Sequence, residues 1–154
     1  MNLYLVQHGQ AVPKEVDPDR PLSDQGWEDI QKTAAFASRA GVSVDTVWHS
    51  GKTRARQTAQ ALAEALESRR GPEQAEGLKP LDDPSIWTKK LSDLQEDTVL
   101  VGHLPHLSRL ASLLLTGESE AEIVAFQMTG IVCLGRADRG SWSLRWMVIP
   151  QVLD

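Results

Sequence analysis

Short apolar runs alternate with helical stripes along most of this chain, and that alternation restricts the fold more than any other feature. The first run, residues 2–7, precedes a helical pattern that turns Trp27 and Ile30 inward. A second run at 44–48 and a third at Thr98–Val101 each precede another helical stripe. Strands that alternate with helices form mainly parallel sheets with helices on both faces. The sequence therefore predicts a three-layer α/β/α domain with a mostly parallel central sheet.

The segment between the second helical stripe and the third apolar run has the weakest pattern. Arg69–Pro72 is expected to end the second helix, because its last two residues, glycine and proline, break helices. Within residues 73–97 we expect a short strand near Leu78 and a helix over 85–94.

The C-terminal part of the chain predicts a hairpin. Ile131–Leu134 and Ser143–Val148 are strand-like runs, and the turn residues Asp138-Arg139-Gly140 lie between them. Trp142 and Trp146 are four residues apart, so in a regular strand they share one face. We expect both indoles to lie in the core.

Composition limits the possible partners. The chain has 154 residues, a hydrophobic fraction of 41% and a net charge of −5 with both signs interspersed, which fits one domain over residues 1–154 and argues against nucleic-acid or anionic-membrane binding. The N-terminus has no basic leader, and the apolar stretch at 110–115 is too short to cross a bilayer, so a cytoplasmic protein is expected. The lone Cys133 is expected to be a buried hydrophobe. An oligomeric state is not indicated.

Polar residues whose side chains are suited to catalysis follow three of the predicted strands. His8 and Gly9 follow the first strand, Ser50 to Arg54 follow the second, and His103 follows the third. Open α/β sheets bind ligands at the carboxyl ends of their strands, so this topology brings the three segments to one edge. An imidazole next to a glycine there suits a histidine that attacks phosphorus.

Four ordered segments carry a resemblance to a known family. They are Leu5-Val6-Gln7-His8-Gly9-Gln10-Ala11, Arg20-Pro21-Leu22-Ser23-x-x-Gly26, Ser50-x-x-x-Arg54-Ala55-x-Gln57-Thr58-Ala59 and Val101-Gly102-His103-Leu104-Pro105. They resemble the blocks of the histidine phosphatase superfamily, and above all its small SixA-type phosphohistidine phosphatases. The resemblance extends over most of the chain and is poorest at 73–97. It implies a phosphoglycerate mutase-like fold.

The resemblance also implies roles for individual residues. His8 would be the nucleophile, and Arg54 and His103 would assist catalysis and bind phosphate. Gln7, Gly9 and Arg20 would complete the phosphate site. We expect no cofactor and no metal, since the spacing His103-x-x-His106 has no third ligand nearby.

Gln7 departs from the family pattern, which has arginine before the nucleophile. A charge-assisted hydrogen bond contributes about 1.5–3 kcal/mol against roughly 1 kcal/mol for a neutral one, so the site is expected to lose about ten-fold in phosphate affinity or rate. Fewer cations beside His8 are also expected to raise its pKa. The carboxylate general acid is the second departure from the family pattern, because Asp82 and Asp83 lie in a plausible region but match the family poorly.

These observations predict a phosphohistidine phosphatase that acts on a phosphorelay or phosphotransfer protein through a covalent intermediate on His8. Two alternatives stay open. One is a phosphomonoesterase for a small phosphate ester, and the other is a degenerate phosphate-binding module, suggested by Gln7. The short chain favours a protein substrate, because it lacks the insertions with which larger mutases of the family enclose a sugar phosphate.

Overall fold

The structure, a computed structural model, describes residues 1–154 and contains six strands and four α-helices. The strands are β1 (Asn2–Gln7), β2 (Thr46–His49), β3 (Arg70–Gln74), β4 (Thr98–Gly102), β5 (Ile131–Arg136) and β6 (Trp142–Val148). The helices are α1 (Asp24–Arg39), α2 (Thr53–Ala65), α3 (Ser85–Asp93) and α4 (His106–Thr116), and a short 3₁₀ helix follows at Pro150–Val152.

All six strands form one sheet in the order β3-β2-β4-β1-β5-β6. The pairs β3–β2, β2–β4 and β4–β1 are parallel, whereas β5 is antiparallel to both β1 and β6. The prediction of an α/β fold with a mostly parallel sheet and a C-terminal hairpin is therefore confirmed.

The core lies on both faces of the sheet because successive strand residues point to opposite sides. In β1, Tyr4 and Val6 pack with the inward faces of α1 and α2, including Ile30 and Leu62. Leu3 and Leu5 of the same strand point the other way, into a second cluster whose helical members come from α3 and α4; these members are Trp87, Leu91, Leu107, Leu110 and Ala111. The sheet therefore lies between two layers of helices, one packed on each face.

The strand expected near Leu78 is not present. Leu78 is fully buried but lies in a loop, and the third strand is β3, which begins in the segment predicted only to end the second helix. Four of the five residues of β3 are exposed, so it has no apolar pattern. It forms because the edge of β2 offers backbone partners, with Thr46 aligned to Arg70 and His49 to Gln74.

Trp142 and Trp146 lie on opposite faces of β6, which contradicts the expected shared face. The pairing of β5 with β6 shifts register between Cys133 and Leu134, so that β6 contains one extra residue. A bulge of this kind reverses the alternation of the side chains beyond it. Trp146 therefore packs with the cluster around Tyr4, and Trp142 with the opposite cluster.

The helix ends are well marked. The Ser23 hydroxyl caps α1 by accepting a hydrogen bond from the Gly26 amide at 3.1 Å, and Gly117 ends α4 in the left-handed conformation, with φ at 82°. The helices are short, and none combines the length and apolarity needed to span a membrane.

Candidate active site

The carboxyl ends of β2, β4 and β1 bring Ser50, His103 and His8 together. These strands are neighbours in that order, with His49 aligned to Val101 and Gln7 to Gly102. The backbone amide of His8 donates to the Gly102 carbonyl at 3.0 Å. The imidazole centroids of His8 and His103 are 4.9 Å apart. Residues 95 positions apart in sequence thus share one end of the sheet.

The His8 ring has a defined orientation. Its Nδ1 atom lies 2.7 Å from the Gly9 carbonyl oxygen, and because a carbonyl oxygen only accepts, this hydrogen bond places the ring proton on Nδ1. The lone pair is then on Nε2, where the Arg54 Nε–H donates a long hydrogen bond of 3.4 Å. The ring is therefore set with its basic nitrogen toward a permanent cation.

The His8 imidazole is held neutral. Burial lowers its pKa to about 4, and the charges of Arg54 and Arg20 add to this effect, whereas the hydrogen bond to Gly9 opposes it. Desolvation and two nearby arginines outweigh any rise in this pKa that the missing charge at Gln7 causes. The Nε2 atom of His8 therefore stays unprotonated well below neutral pH.

His103 is buried, with 2% of its surface exposed, and is fixed by Ser50. Its Nε2 atom forms a hydrogen bond of 2.7 Å with the Ser50 hydroxyl, which also accepts the Lys52 backbone amide at 3.3 Å. Burial lowers the pKa of His103 to about 3, and His8 and Arg54 contribute to the shift. The His103 Nδ1 atom is buried without a hydrogen-bond partner.

The two arginines reach the site from different segments. Arg54 lies in the first turn of α2, and its pKa is lowered by burial and by the charge of Arg20. Arg20 comes from the loop after β1, where it has a positive φ of 49° and its Nε–H donates to the Val12 carbonyl at 3.3 Å. Arg56 is exposed, in keeping with the argument that two arginines two positions apart on a helix cannot face one ligand.

Gln7 and Gly9 flank the candidate nucleophile. Gln7 is the last residue of β1, half-buried, and its carbonyl accepts the Thr129 amide at 2.9 Å. Gly9 is buried, and a Cβ at this position would lie 3.0 Å from the Leu22 side chain and 3.2 Å from the Gly26 carbonyl. Glycine therefore lets the chain after His8 run close to the start of α1.

Helix α2 supports the site through residues whose roles the sequence did not reveal. The Thr58 hydroxyl accepts the Gly9 amide at 3.0 Å and donates to the Arg54 carbonyl at 2.8 Å, and the Gln57 side chain accepts the Leu22 amide at 2.7 Å. Together with Ser50, these residues belong to the second sequence block. Their place in that block was the only signal, because Gly9, Leu22 and His103, which they contact, are at least 35 positions away in the chain.

The two carboxylates near the site have turn-forming roles. Asp82 accepts the Lys79 amide at 3.0 Å, and Asp83 accepts the Ser85 amide at 2.9 Å ahead of α3. The Ser85 hydrogen bonds are the main cause of the lowered pKa of Asp83, which keeps this exposed carboxyl ionised at neutral pH. A carboxyl group that acts as a general acid needs a raised pKa instead.

Comparison with known proteins identifies the family. The family model of the histidine phosphatase superfamily, branch 1, matches residues 3–83, just over half of the chain, and this range contains Gln7, His8, Gly9, Arg20 and Arg54. The chain belongs to the histidine phosphatase superfamily. It is therefore a hydrolase of the phosphatase class. His103 lies outside the matched range, so its place in the site comes from the fold.

One relative and two solved structures are similar to this chain. An uncharacterized protein of Picosynechococcus sp. is 32% identical over 126 residues, which cover 77% of this histidine phosphatase and 76% of that protein. The structure of the protein histidine phosphatase SixA complexed with tungstate has a TM-score of 0.88 at 22% identity and covers 99% of both chains. The α-ribazole phosphatase from Shigella flexneri has a TM-score of 0.73 at 18% identity and covers 97% of this chain and 96% of that one.

Proposed function

We propose that this chain is a phosphohistidine phosphatase that removes the phosphoryl group from a phosphorelay or phosphotransfer protein, with His8 as the phosphoryl acceptor. The observation that carries the proposal is the hydrogen bond from His8 Nδ1 to the Gly9 carbonyl. It leaves Nε2 as a neutral nucleophile beside Arg54, and the lowered pKa, about 4, keeps that nitrogen unprotonated.

In the proposed first step, the Nε2 lone pair of His8 attacks phosphorus and the bond from phosphorus to the substrate's imidazole breaks. The departing imidazole takes a proton from solvent. Arg54 and Arg20 hold the phosphoryl oxygens, and His103 donates to the charge that develops on them. In the second step, water attacks the phosphorus on His8, which releases inorganic phosphate and restores the neutral ring.

The absence of a suitably tuned carboxylic acid supports phosphohistidine as the substrate. Asp83 has a lowered pKa and Asp82 is engaged with the Lys79 amide, so neither is set up to protonate an alkoxide. An imidazole leaves a phosphoramidate more easily than an alkoxide leaves an ester, and this reaction depends less on acid assistance. The SixA phosphatase of the same fold was solved with tungstate, a tetrahedral oxyanion like phosphate.

A small phosphate ester is the second candidate substrate. The fold is shared with an α-ribazole phosphatase, which by its name acts on a small molecule. A degenerate phosphate-binding module is the third candidate, because Gln7 carries no charge where the family has arginine.

One experiment separates the three candidates. Wild type and His8→Ala are each incubated with a histidine-phosphorylated phosphotransfer domain and with small phosphate esters, and released phosphate is measured. We expect His8-dependent release from the protein at higher kcat/KM than from the esters. Faster turnover of the esters would support the metabolite enzyme. Binding without turnover, unchanged in His8→Ala, would eliminate both enzymatic candidates.

A further inference from the structure

Three large apolar side chains are exposed at the end of the sheet that carries the candidate active site. They are Leu81 at 81% exposure, Leu104 at 40% and Met128 at 40%. They come from three different loops, which follow β3, follow β4 and precede β5. Scattered exposed apolar residues are ordinary, but a group of them around one functional site marks an interaction surface. These three residues are called the apolar collar below.

Two members of the apolar collar are backbone neighbours of predicted site residues. Leu104 immediately follows His103 at the end of β4. Met128 forms an isolated parallel bridge with Gln7, and the next residue, Thr129, donates its amide to the Gln7 carbonyl. β4 pairs with β1 on one side, and Met128 bridges to β1 at Gln7, so Leu104 and Met128 are carried by backbone next to the two histidines.

The third member lies beside the start of α4. Leu81 belongs to the loop that contains Leu78, and this loop packs at the end of β4. A Cβ on Gly102 would lie 3.4 Å from the Leu78 carbonyl oxygen and 3.5 Å from the Leu107 side chain of α4. The loop that carries Leu81 therefore passes the end of β4, where Leu104 follows and α4 begins.

A polar rim continues from the apolar collar along α4. A groove there is lined by Leu104, Pro105, Arg109 and Glu120, and the Arg109 guanidinium and Glu120 carboxylate form a salt bridge of 3.0 Å. An apolar centre bordered by polar and charged side chains is the usual anatomy of a protein interface.

We propose that the apolar collar is the docking surface for the protein that carries the phosphohistidine. The inference rests on the proposed function. A histidine side chain is short, so when its phosphorus reaches His8, the carrier's backbone and neighbouring side chains are pressed against the surroundings of the site. Those surroundings are Leu104, Met128 and Leu81. A free small ester would reach the same nitrogen and leave Leu81 in water.

The test compares two substrates that present the same bond. One is a phosphotransfer domain phosphorylated on its histidine, and the other is the free amino acid phosphohistidine. The variant combines Leu81→Ser with Met128→Ser, neither of which belongs to the proposed catalytic group. Val152→Ser is the matched control, since Val152 is 69% exposed in the C-terminal 3₁₀ helix.

We expect the double variant to lower kcat/KM for the phosphorylated domain about ten-fold or more, through KM, because partly buried apolar contacts contribute that much to binding. Turnover of free phosphohistidine and the behaviour of Val152→Ser should match wild type. Equal loss on both substrates, or no loss on the domain, would overturn the docking surface. The proposal would also be overturned if sedimentation velocity showed that wild type is a dimer and the double variant is a monomer. If wild type hydrolyses neither substrate, the proposed function itself fails, and the docking surface falls with it.

Discussion

The Nδ1 atom of His8 determines which ring nitrogen is available for attack. Its hydrogen bond to the Gly9 carbonyl joins two adjacent residues, so the orientation of the proposed nucleophile is local and follows from the Gln7-His8-Gly9 segment itself. The partners of the other nitrogen come from elsewhere, since Arg54 is 46 positions away. The sequence predicted which residues form the site, but only the coordinates show which nitrogen of His8 faces Arg54.

Gln7→Arg tests the cost of the missing cation. Gln7 is directly before His8, and a guanidinium there supplies a charged, forked donor that an amide lacks. We expect about a ten-fold gain in kcat/KM or in inorganic phosphate affinity, measured by steady-state kinetics and by phosphate inhibition. An unchanged rate and an unchanged inhibition constant would show that Arg20 and Arg54 already compensate fully.

Ser50→Ala tests whether His103 depends on its hydroxyl partner. Removing the 2.7 Å hydrogen bond leaves the Nε2 atom of a buried imidazole without a partner, so kcat should fall about ten-fold while KM changes little. Ser50→Thr should recover most of the rate because it restores a hydroxyl. Ser92→Ala, at an exposed serine of α3, is the control. A loss of rate accompanied by an equal loss of stability would mean that Ser50 serves the fold alone.

At the scale of elements, the strands with a clear apolar pattern in the sequence were the ones that could be predicted. The buried span of β1 is apolar, and β4 is apolar apart from its first residue, Thr98, so the positions of both strands were predicted nearly to the residue. The edge strand β3 has the sequence Arg-Gly-Pro-Glu-Gln, which carries no periodic signal, and it forms only because β2 is unpaired on that side. The bulge that separates Trp142 from Trp146 is likewise a property of pairing, so no single-strand pattern reveals it.

Thr58 connects helix α2 to the turn after β1 through its hydrogen bond with the Gly9 amide, and Thr58→Val tests the contribution of that bond. Valine keeps the shape but removes the acceptor of the buried Gly9 amide, so the free energy of unfolding should drop by about 1–3 kcal/mol. Because Gly9 also orients His8, kcat should fall as well. Thr88→Val is the comparison, since the Thr88 hydroxyl only donates to a carbonyl of its own helix. Equal free energies of unfolding for the two variants in urea titrations would show that the Thr58–Gly9 hydrogen bond does not stabilise the fold.

At the scale of the whole molecule, the fold keeps its imidazoles uncharged. All four histidines have lowered pKa values: burial is the largest cause in each, with His8 at about 4 and His103 at about 3. For His49 the charge of Arg56 adds to the shift, whereas for His106 Asp82 and Asp83 oppose it. That residues 1–154 act as a single domain stays a prediction, which a single unfolding transition would support.

The lowered pKa values predict loss of stability in acid. In the unfolded chain the histidines titrate near 6.5, so below that pH the unfolded state binds more protons than the folded state. The free energy of unfolding should be highest above pH 6.5 and decline toward pH 4, by up to about 1.4 kcal/mol per pH unit for each buried histidine and by less for the partly buried His8. Urea unfolding at pH 7.5 and pH 5 measures this. His106→Leu should reduce the slope, and equal stability at both pH values would contradict the account.

The most direct test of the central claim is to trap the phosphorylated enzyme. The protein is mixed with a phosphotransfer domain that carries a radiolabelled phosphohistidine, quenched in alkali, and mapped by mass spectrometry and phosphorus NMR. We predict label on His8 at Nε2, no label in His8→Ala, and normal labelling in His49→Gln. Label on another residue, or turnover that persists in His8→Ala, would contradict the assignment of His8 as the nucleophile.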